Sequence, residues 1–244
     1  TYGPLPKKMT WRSKDVEALI AQSQQVLTPG GYEPRPDISW IRVVTLLPSL
    51  FRAAKSPEGE KLQELLPPDV YERWLTLKQK YLGRDGGVEK WRPAFAWEKL
   101  QAKALEKTGL THRDVIWPVV SKAAKKHKVK IVDTVVSEKI KIDKPKVALQ
   151  EFAKLEAPDV ECFTKSIDRL EGNLQAMTLL ANAWAIGDVG ALQTLQAPDE
   201  SANCQTVIFK AVLNSQLGKD FDVLGMIERG NRRAQEKWLA AAEA

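Results

Sequence analysis

The chain has 244 residues and is 43% hydrophobic, which provides enough apolar side chain for one large folded domain or two small ones. Lysine and arginine exceed the acidic residues by 37 to 31, giving a net charge of +6. No nucleic-acid-binding motif accompanies this charge, so we expect no nucleic acid partner. No apolar run approaches the ~20 residues of a membrane-spanning helix, so we expect no transmembrane segment.

The first fifty residues predict one helix and then an ambiguous apolar segment. Ser13 is placed to cap a helix whose apolar positions run on one face from Val16 to Leu27. Residues 32–36 are rich in proline and charge and predict a loop. The apolar run 38–47 fits either a buried strand or an apolar helix, and its periodicity leaves both open.

Proline and glycine divide the middle of the chain into helices. Short helical patterns cover residues 58–66 and 93–107, and Asp69 begins a helix that Gly83 stops. Another helix is predicted from Thr111, where Pro118 either kinks it or marks its true first turn. The helix that begins at Asp69 has an apolar inner face formed by Val70, Trp74, Leu77 and Tyr81.

Two strands and a helical C-terminal third follow. Alternating β-branched residues predict strands over 128–136 and 138–142, and a hairpin is one way to pair them. Further helices are predicted over 188–195, from Ser201 to 216, and from about Phe221 to the end with a break near Gly230. The longest helix has a heptad-like apolar seam, formed by Val160, Phe163, Ile167, Leu170, Leu174, Met177, Ala181 and Trp184.

The chain offers few residues for catalysis. His112 and His127 are the two histidines, and neither has a second ligand at helical spacing. The sequence contains no nucleophile elbow and no phosphate-binding loop. Carboxylates remain, and the catalytic candidates are Asp133 and Glu138. Asp133 is flanked by apolar residues, which fits either an acid of raised pKa or a buried partner for an arginine.

Residues 182–192, Asn-Ala-Trp-Ala-Ile-Gly-Asp-Val-Gly-Ala-Leu, predict a helix end, a glycine stop and an aspartate that caps the next helix. With Trp184, Gly187 and Asp188, this stretch resembles the aW..GD...L motif of the TraB/PrgY/GumN (Tiki-like) family, which includes metal-dependent proteases. Segments 4–11 and 66–93 are similar to other parts of that family in the same order. The resemblance implies one domain over residues 1–244 with a helical insert at about 58–127. The fold we expect is α+β and mainly helical, with a small β-sheet and a long C-terminal helix.

The resemblance fails at the catalytic motifs. Catalytic relatives carry a GxxH motif after the first strand, a glutamate on a following strand and a second GxxH near the C-terminus, which together hold a metal. Here Gly3 stands where the first histidine is expected, and residues 26–31 contain no glutamate. The single GxxH of the sequence, Gly109 to His112, lies in the middle of the chain and not near the C-terminus. We therefore expect a divergent bacterial member without a cofactor, and a divalent metal only if other carboxylates have taken over the chemistry.

The two cysteines, Cys162 and Cys204, fit either one disulfide or two buried thiols when judged from the residues. The family resemblance suggests an exported protein. It therefore implies a disulfide and a periplasmic or extracellular location, with the cytoplasm as the alternative.

Three functions follow as hypotheses. The first is a non-catalytic family member that binds a protein partner or a small-molecule ligand. The second is a metal-dependent hydrolase or peptidase that uses relocated carboxylates, Asp133 and Glu138. The third is a helical adaptor that presents the seam of Val160 to Trp184 as an exposed apolar stripe. Homo-oligomer formation is open under all three.

Overall fold

A computed structural model of the chain describes residues 4–56, 58–155, 159–195 and 204–243. The described part is a mainly helical α+β fold with a small amount of β-structure, as expected. The strands are β1 (Leu5–Pro6), β2 (Gln25–Leu27), β3 (Gly31–Pro36), β4 (Leu110–Thr111), β5 (Lys130–Val132) and β6 (Val135–Ile140). The helices are α1 (Ser13–Gln22), α2 (Trp40–Ala53), α3 (Leu62–Leu65), α4 (Pro68–Tyr81), α5 (Pro93–Lys107), α6 (Trp117–Lys126), α7 (Pro145–Ala153), α8 (Asp159–Ile186), α9 (Val189–Thr194), α10 (Cys204–Asn214), α11 (Gln216–Asp220) and α12 (Val223–Glu243).

The β-structure consists of strand pairs between distant parts of the chain. β1 pairs with β4 in antiparallel orientation. β2 pairs with β5, and β3 pairs with β6, both in parallel orientation. Residues 25–36 and 130–140 therefore run side by side in the same direction, with a short interruption in each segment between its two strands.

This pairing corrects the hairpin prediction. β5 and β6 do not pair with each other, because only Asp133 and Thr134 separate them and the chain keeps its direction. It also corrects two N-terminal predictions. Helix α1 ends at Gln22 and does not continue to Leu27, because residues Gln25–Leu27 form β2 and pair with β5. The expected loop at residues 32–36 is part of β3, whose prolines are tolerated because the strand lies at an edge.

Three further elements differ from the sequence-based expectation or decide between its alternatives. The run at 38–47 forms most of α2, which Ser39 caps by accepting a hydrogen bond from the Arg42 amide. Thr111 lies in β4 rather than starting a helix, and α6 begins at Trp117 with Pro118 in its first turn. Helix α12 is continuous through Gly230. The predicted start at Ser201 lies outside the described residues.

The larger hydrophobic core lies among α3, α4, α5, α8 and α10. Trp74 of α4 and Phe163 of α8 are fully buried, with ring centroids 5.5 Å apart. Five positions of the α8 seam are buried in the fold: Phe163, Ile167, Leu170, Leu174 and Ala181. The seam therefore packs within the chain. The adaptor hypothesis required this seam to be exposed, and that prediction is wrong.

Candidate functional site

The carboxyl ends of the parallel strands β2 and β5 form a polar junction, which we call the strand-end junction: Thr28, Asp133 and Thr134. Ligand sites in parallel sheets commonly lie at this edge. Thr28 follows β2 and falls within residues 26–31, where the resemblance places a catalytic glutamate. The Thr28 hydroxyl lies 3.3 Å from Asp133 Oδ1 and 3.1 Å from Thr134 Oγ1. The fold thus brings the candidate Asp133 to the edge where family chemistry is expected.

The polar groups of the strand-end junction form hydrogen bonds that stabilise the fold. Thr134 is fully buried; its hydroxyl donates to the Thr28 carbonyl at 2.7 Å, and its amide donates to Thr28 Oγ1 at 2.8 Å. The Thr28 hydroxyl hydrogen is then available to Asp133 Oδ1, which also accepts from the Val135 amide at 3.0 Å. Asp133 therefore fixes the short interruption between β5 and β6. It is exposed, so the buried-carboxylate interpretation is wrong.

Glu138 has an equally defined environment on β6. It accepts a hydrogen bond from the Tyr32 hydroxyl at 3.0 Å and forms an ion pair with Arg233 of α12. The Arg233 guanidinium and the Tyr32 hydroxyl hold the pKa of Glu138 below its usual value. Burial, with the Glu138 carboxylate beside it, raises the pKa of Tyr32. Glu138 therefore stays ionised near neutral pH and is a poor general acid. Its two contacts instead link β3, β6 and α12.

The structure does not bring the two candidate carboxylates to one reaction centre. Asp133 and Glu138 are separated by five positions along an extended chain, so their backbones lie roughly 16 Å apart. The partners of Asp133 are a hydroxyl and an amide, whereas those of Glu138 are a phenol and a guanidinium. This arrangement favours two separate structural contacts over a shared acid–base or metal site.

The aW..GD...L residues form a joint between α8 and the N-terminal segment. Gly187 ends α8 with a φ of 73°, a left-handed conformation that glycine adopts without strain. Asp188 caps α9 by accepting from the Ala191 amide at 2.9 Å. The ring of Trp184 packs against that of Trp11 at 5.4 Å between centroids. The motif therefore has a structural explanation in this fold.

A model of the TraB/PrgY/gumN family matches residues 1–216, which is most of the chain. The chain belongs to the TraB/PrgY/gumN family. No curated protein and no solved structure matches it. Across the ranges that the structure describes, no helix combines the length and apolarity needed to cross a bilayer.

The donor set does not fit the metal that the family's catalytic members imply. Within the described ranges, no group of three or more histidine, cysteine, aspartate or glutamate side chains is placed to hold an ion. His112 and His127 are both exposed. Gly3, which stands at the expected histidine position, lies outside the described residues. The described part of this family member thus lacks the cluster of imidazole and carboxylate donors that a hydrolytic metal requires.

The structure joins Cys162 and Cys204 in a disulfide between α8 and α10. Their Cα atoms are 5.3 Å apart, and the two residues are separated by 42 positions in the sequence. Both cysteines are buried within the larger core. The bridge links the start of α10 to the helix that carries the buried seam.

Sequence reasoning missed a buried ion pair at the start of α8. Arg92 donates from Nε to Asp159 Oδ2 at 2.8 Å, and its terminal nitrogen donates to the Leu155 carbonyl at 3.0 Å. Burial raises the pKa of Asp159, and the Arg92 guanidinium opposes that effect. The two residues are 67 positions apart in the sequence, so no local pattern could pair them. Arg92 does lie at the end of segment 66–93, which was similar to the family.

Several surface grooves lined by described residues offer space for a ligand, and two of them lie beside strands of the fold. One, of about 680 Å³, lies beside β4 and is lined by both charged and apolar residues, including Lys7, His112 and Arg113. The other, of about 320 Å³, lies where β3, β6 and α7 meet α10–α12. We call it the apolar groove; its walls are Pro34, Pro36, Ile140, Ile142, Ala148, Val212, Leu217, Phe221, Val223 and Met226.

Proposed function

We propose that this family member does not catalyse metal-assisted hydrolysis and acts by binding a partner or ligand. The observation that carries the proposal is the strand-end junction. The one carboxylate found there, Asp133, is occupied by the Thr28 hydroxyl and the Val135 amide. The described residues supply no cluster of further donors beside it. A hydrolytic metal needs several such ligands together with an open coordination position.

The apolar groove supports the binding half of the proposal. Small-molecule sites are concave and mostly apolar, with volumes of roughly 300–1,000 Å³. This groove lies at the lower end of that range, and all ten of its lining residues are apolar. We infer that it takes a compact apolar ligand or an apolar side chain of a partner.

Metal analysis and turnover measured on the same preparation test the catalytic half. The purified protein is incubated with zinc, manganese or cobalt, desalted, analysed for bound metal and screened against peptide, ester, phosphate and glycoside substrates. We expect far less than one ion per chain and no turnover, in both the wild type and the Asp133→Asn variant. Stoichiometric metal with turnover that Asp133→Asn or Glu138→Gln abolishes would overturn the proposal.

Ligand-observed NMR with a set of apolar fragments tests the binding half. Ala148→Phe fills the apolar groove without adding charge, whereas Ala102→Phe makes the same change in the groove beside β4. We expect fragment binding by the wild type and by Ala102→Phe, and its loss in Ala148→Phe. Equal binding by both variants would show that the groove is not the site.

We also propose that the protein works in an oxidising compartment, the periplasm or the extracellular space. The disulfide supports this location, because such bonds persist in oxidising compartments and are rare in the cytosol. Alkylation at harvest under denaturing but non-reducing conditions, followed by mass spectrometry, tests it. Free thiols on both cysteines would favour the cytoplasm.

A further inference from the structure

Helix α2 carries its apolar face towards solvent. Trp40, Val44, Leu47 and Phe51 are spaced by four, three and four positions, so they form one stripe along the helix. Their exposed fractions are 75%, 53%, 41% and 59%. Ile41 and Leu50 flank the stripe and are exposed as well. A surface helix ordinarily turns such a stripe to the core, so this face is inverted.

The opposite face of α2 accounts for its attachment to the protein. Its two buried residues are small or medium in size, Leu46 and Ala53. The helix contacts α7, and no residue of α7 is buried. The pair is therefore a peripheral layer of the described fold, and its largest apolar side chains take no part in holding it there. An exposed patch of this kind marks an interaction surface.

The charges on the helix pair α2 and α7 are mainly basic. Residues 40–55 include three basic side chains and no acidic one. Residues 144–154, which contain α7 and its caps, add three lysines and a single glutamate. Six basic residues therefore accompany one acidic residue on this helix pair, whereas the chain as a whole is close to balanced at 37 against 31. The six basic residues are Arg42, Arg52, Lys55, Lys144, Lys146 and Lys154.

We propose that α2 binds the surface of an anionic lipid membrane, lying in the plane of the interface. Trp, Phe and Leu on one face with Lys and Arg beside it are the features of such helices, which bury their apolar face about 5–10 Å into the bilayer surface. The aromatic stripe of Trp40 and Phe51 enters the acyl boundary, and the basic residues meet the anionic headgroups. This docking requires no spanning segment.

A second copy of the chain suits this face less well. A stable protein–protein interface takes in about 20–30 residues on each side, whereas the outward face of α2 offers roughly seven large apolar ones. A symmetric dimer would also bring two sets of basic residues together, which is unfavourable. The surface is separate from the strand-end junction, so the proposal stands whether or not the protein hydrolyses anything.

Vesicle flotation tests the proposal on the full chain. Vesicles of phosphatidylcholine alone are compared with an equimolar mixture of phosphatidylcholine and phosphatidylglycerol. We expect flotation with the mixed vesicles and little with phosphatidylcholine. The double variant Trp40→Ser/Phe51→Ser is expected to lower the partition coefficient by about 100-fold, roughly tenfold for each aromatic residue. The matched control Leu19→Ser/Leu75→Ser removes two exposed apolar residues elsewhere and should float like the wild type.

A charge variant tests the lipid class separately. Arg52→Gln/Lys55→Gln keeps the apolar stripe and should lose the preference for phosphatidylglycerol, as should wild type in 1 M salt, where charges are screened. Circular dichroism confirms that each variant is folded. The proposal is wrong if the wild type does not float or if the aromatic variant floats as well as the control. It is also wrong if the chain forms a lipid-free dimer that the aromatic variant dissociates.

Discussion

Helix α12 crosses β3 at Gly230, where the absence of a side chain allows the ring of Tyr32 to approach the helix backbone. A methyl group added at Gly230 would lie 2.3 Å from Tyr32 Cγ and 2.4 Å from both Cδ atoms. Non-bonded carbon atoms prefer about 3.5–4.0 Å, so the ring and the helix would have to separate by about 1 Å. Tyr32 has little freedom to move, because its backbone pairs with Val136 and its hydroxyl donates to Glu138.

We therefore expect Gly230→Ala to destabilise the protein. Overpacking costs roughly 1–3 kcal/mol, and a clash against the ring carbons nearest the backbone belongs at the upper end of that range. Replacing a helical glycine by alanine returns about 1 kcal/mol of helix propensity. The net loss in the free energy of unfolding should be about 1–2 kcal/mol, measured by urea unfolding followed by circular dichroism.

Gly172→Ala in α8 is the matched control. Apart from the neighbouring residues and backbone of its own helix, no atom lies within 4 Å of the position of its added methyl group, and the residue is exposed. The same substitution should therefore stabilise the protein by about 0.5–1 kcal/mol. If Gly230→Ala is as stable as Gly172→Ala, then α12 does not pack against Tyr32 as described, and the account of the Glu138 contacts fails with it.

Three further predictions concern the buried charges and the disulfide. Cys162→Ala/Cys204→Ala should lower the free energy of unfolding by about 4 kcal/mol, because the bridge closes a loop of 42 positions. Arg92→Met should cost about 3–5 kcal/mol at neutral pH, since it leaves Asp159 as an uncompensated buried carboxylate. Burial raises the pKa of Glu98 above its usual 4.5. At pH values between the usual pKa and the raised one, the folded state therefore binds more protons than the unfolded state. Stability should fall as pH rises through that window, and Glu98→Gln should remove this dependence.

Each of these predictions has its own check. Reducing the wild type with dithiothreitol should reproduce the loss seen in the cysteine variant, and an unchanged unfolding midpoint would contradict the disulfide. Lys165→Met breaks the exposed pair with Glu161 and should leave the free energy of unfolding nearly unchanged. An equally small effect of Arg92→Met would mean that the Arg92 pair is not buried. If Glu98→Gln keeps the wild-type slope of stability against pH, another group is responsible for it.

The helices around the larger core could be predicted closely from the sequence. The expected helix from Asp69 to the Gly83 stop corresponds to α4 at Pro68–Tyr81, and the expected 93–107 corresponds to α5 at Pro93–Lys107. The long helix expected over Val160 to Trp184 is α8 at Asp159–Ile186. Caps, stops and apolar periodicity act between residues about four positions apart, so a single stretch of chain contains the information.

The site was less predictable. Asp133 and Glu138 could be selected as carboxylates near strands, but Thr28, Tyr32 and Arg233, which determine what those carboxylates do, lie about a hundred positions away. No periodic signal connects such residues. The same distance explains the wrong predictions for β2 and β3, whose partners β5 and β6 are equally remote in the chain.

Helix α2 shows most clearly which properties the sequence determines and which depend on the tertiary structure. Its residues establish that the segment is apolar and contains basic side chains, because composition is a property of the segment itself. The direction in which the apolar stripe faces depends on what packs against the helix. Leu46 and Ala53 lie on the face of α2 that packs against the protein, whereas Trp40 and Phe51 face solvent. Composition thus establishes that this segment is apolar and basic, whereas its helical form and the exposure of its stripe are decided by how it packs against distant segments of the chain.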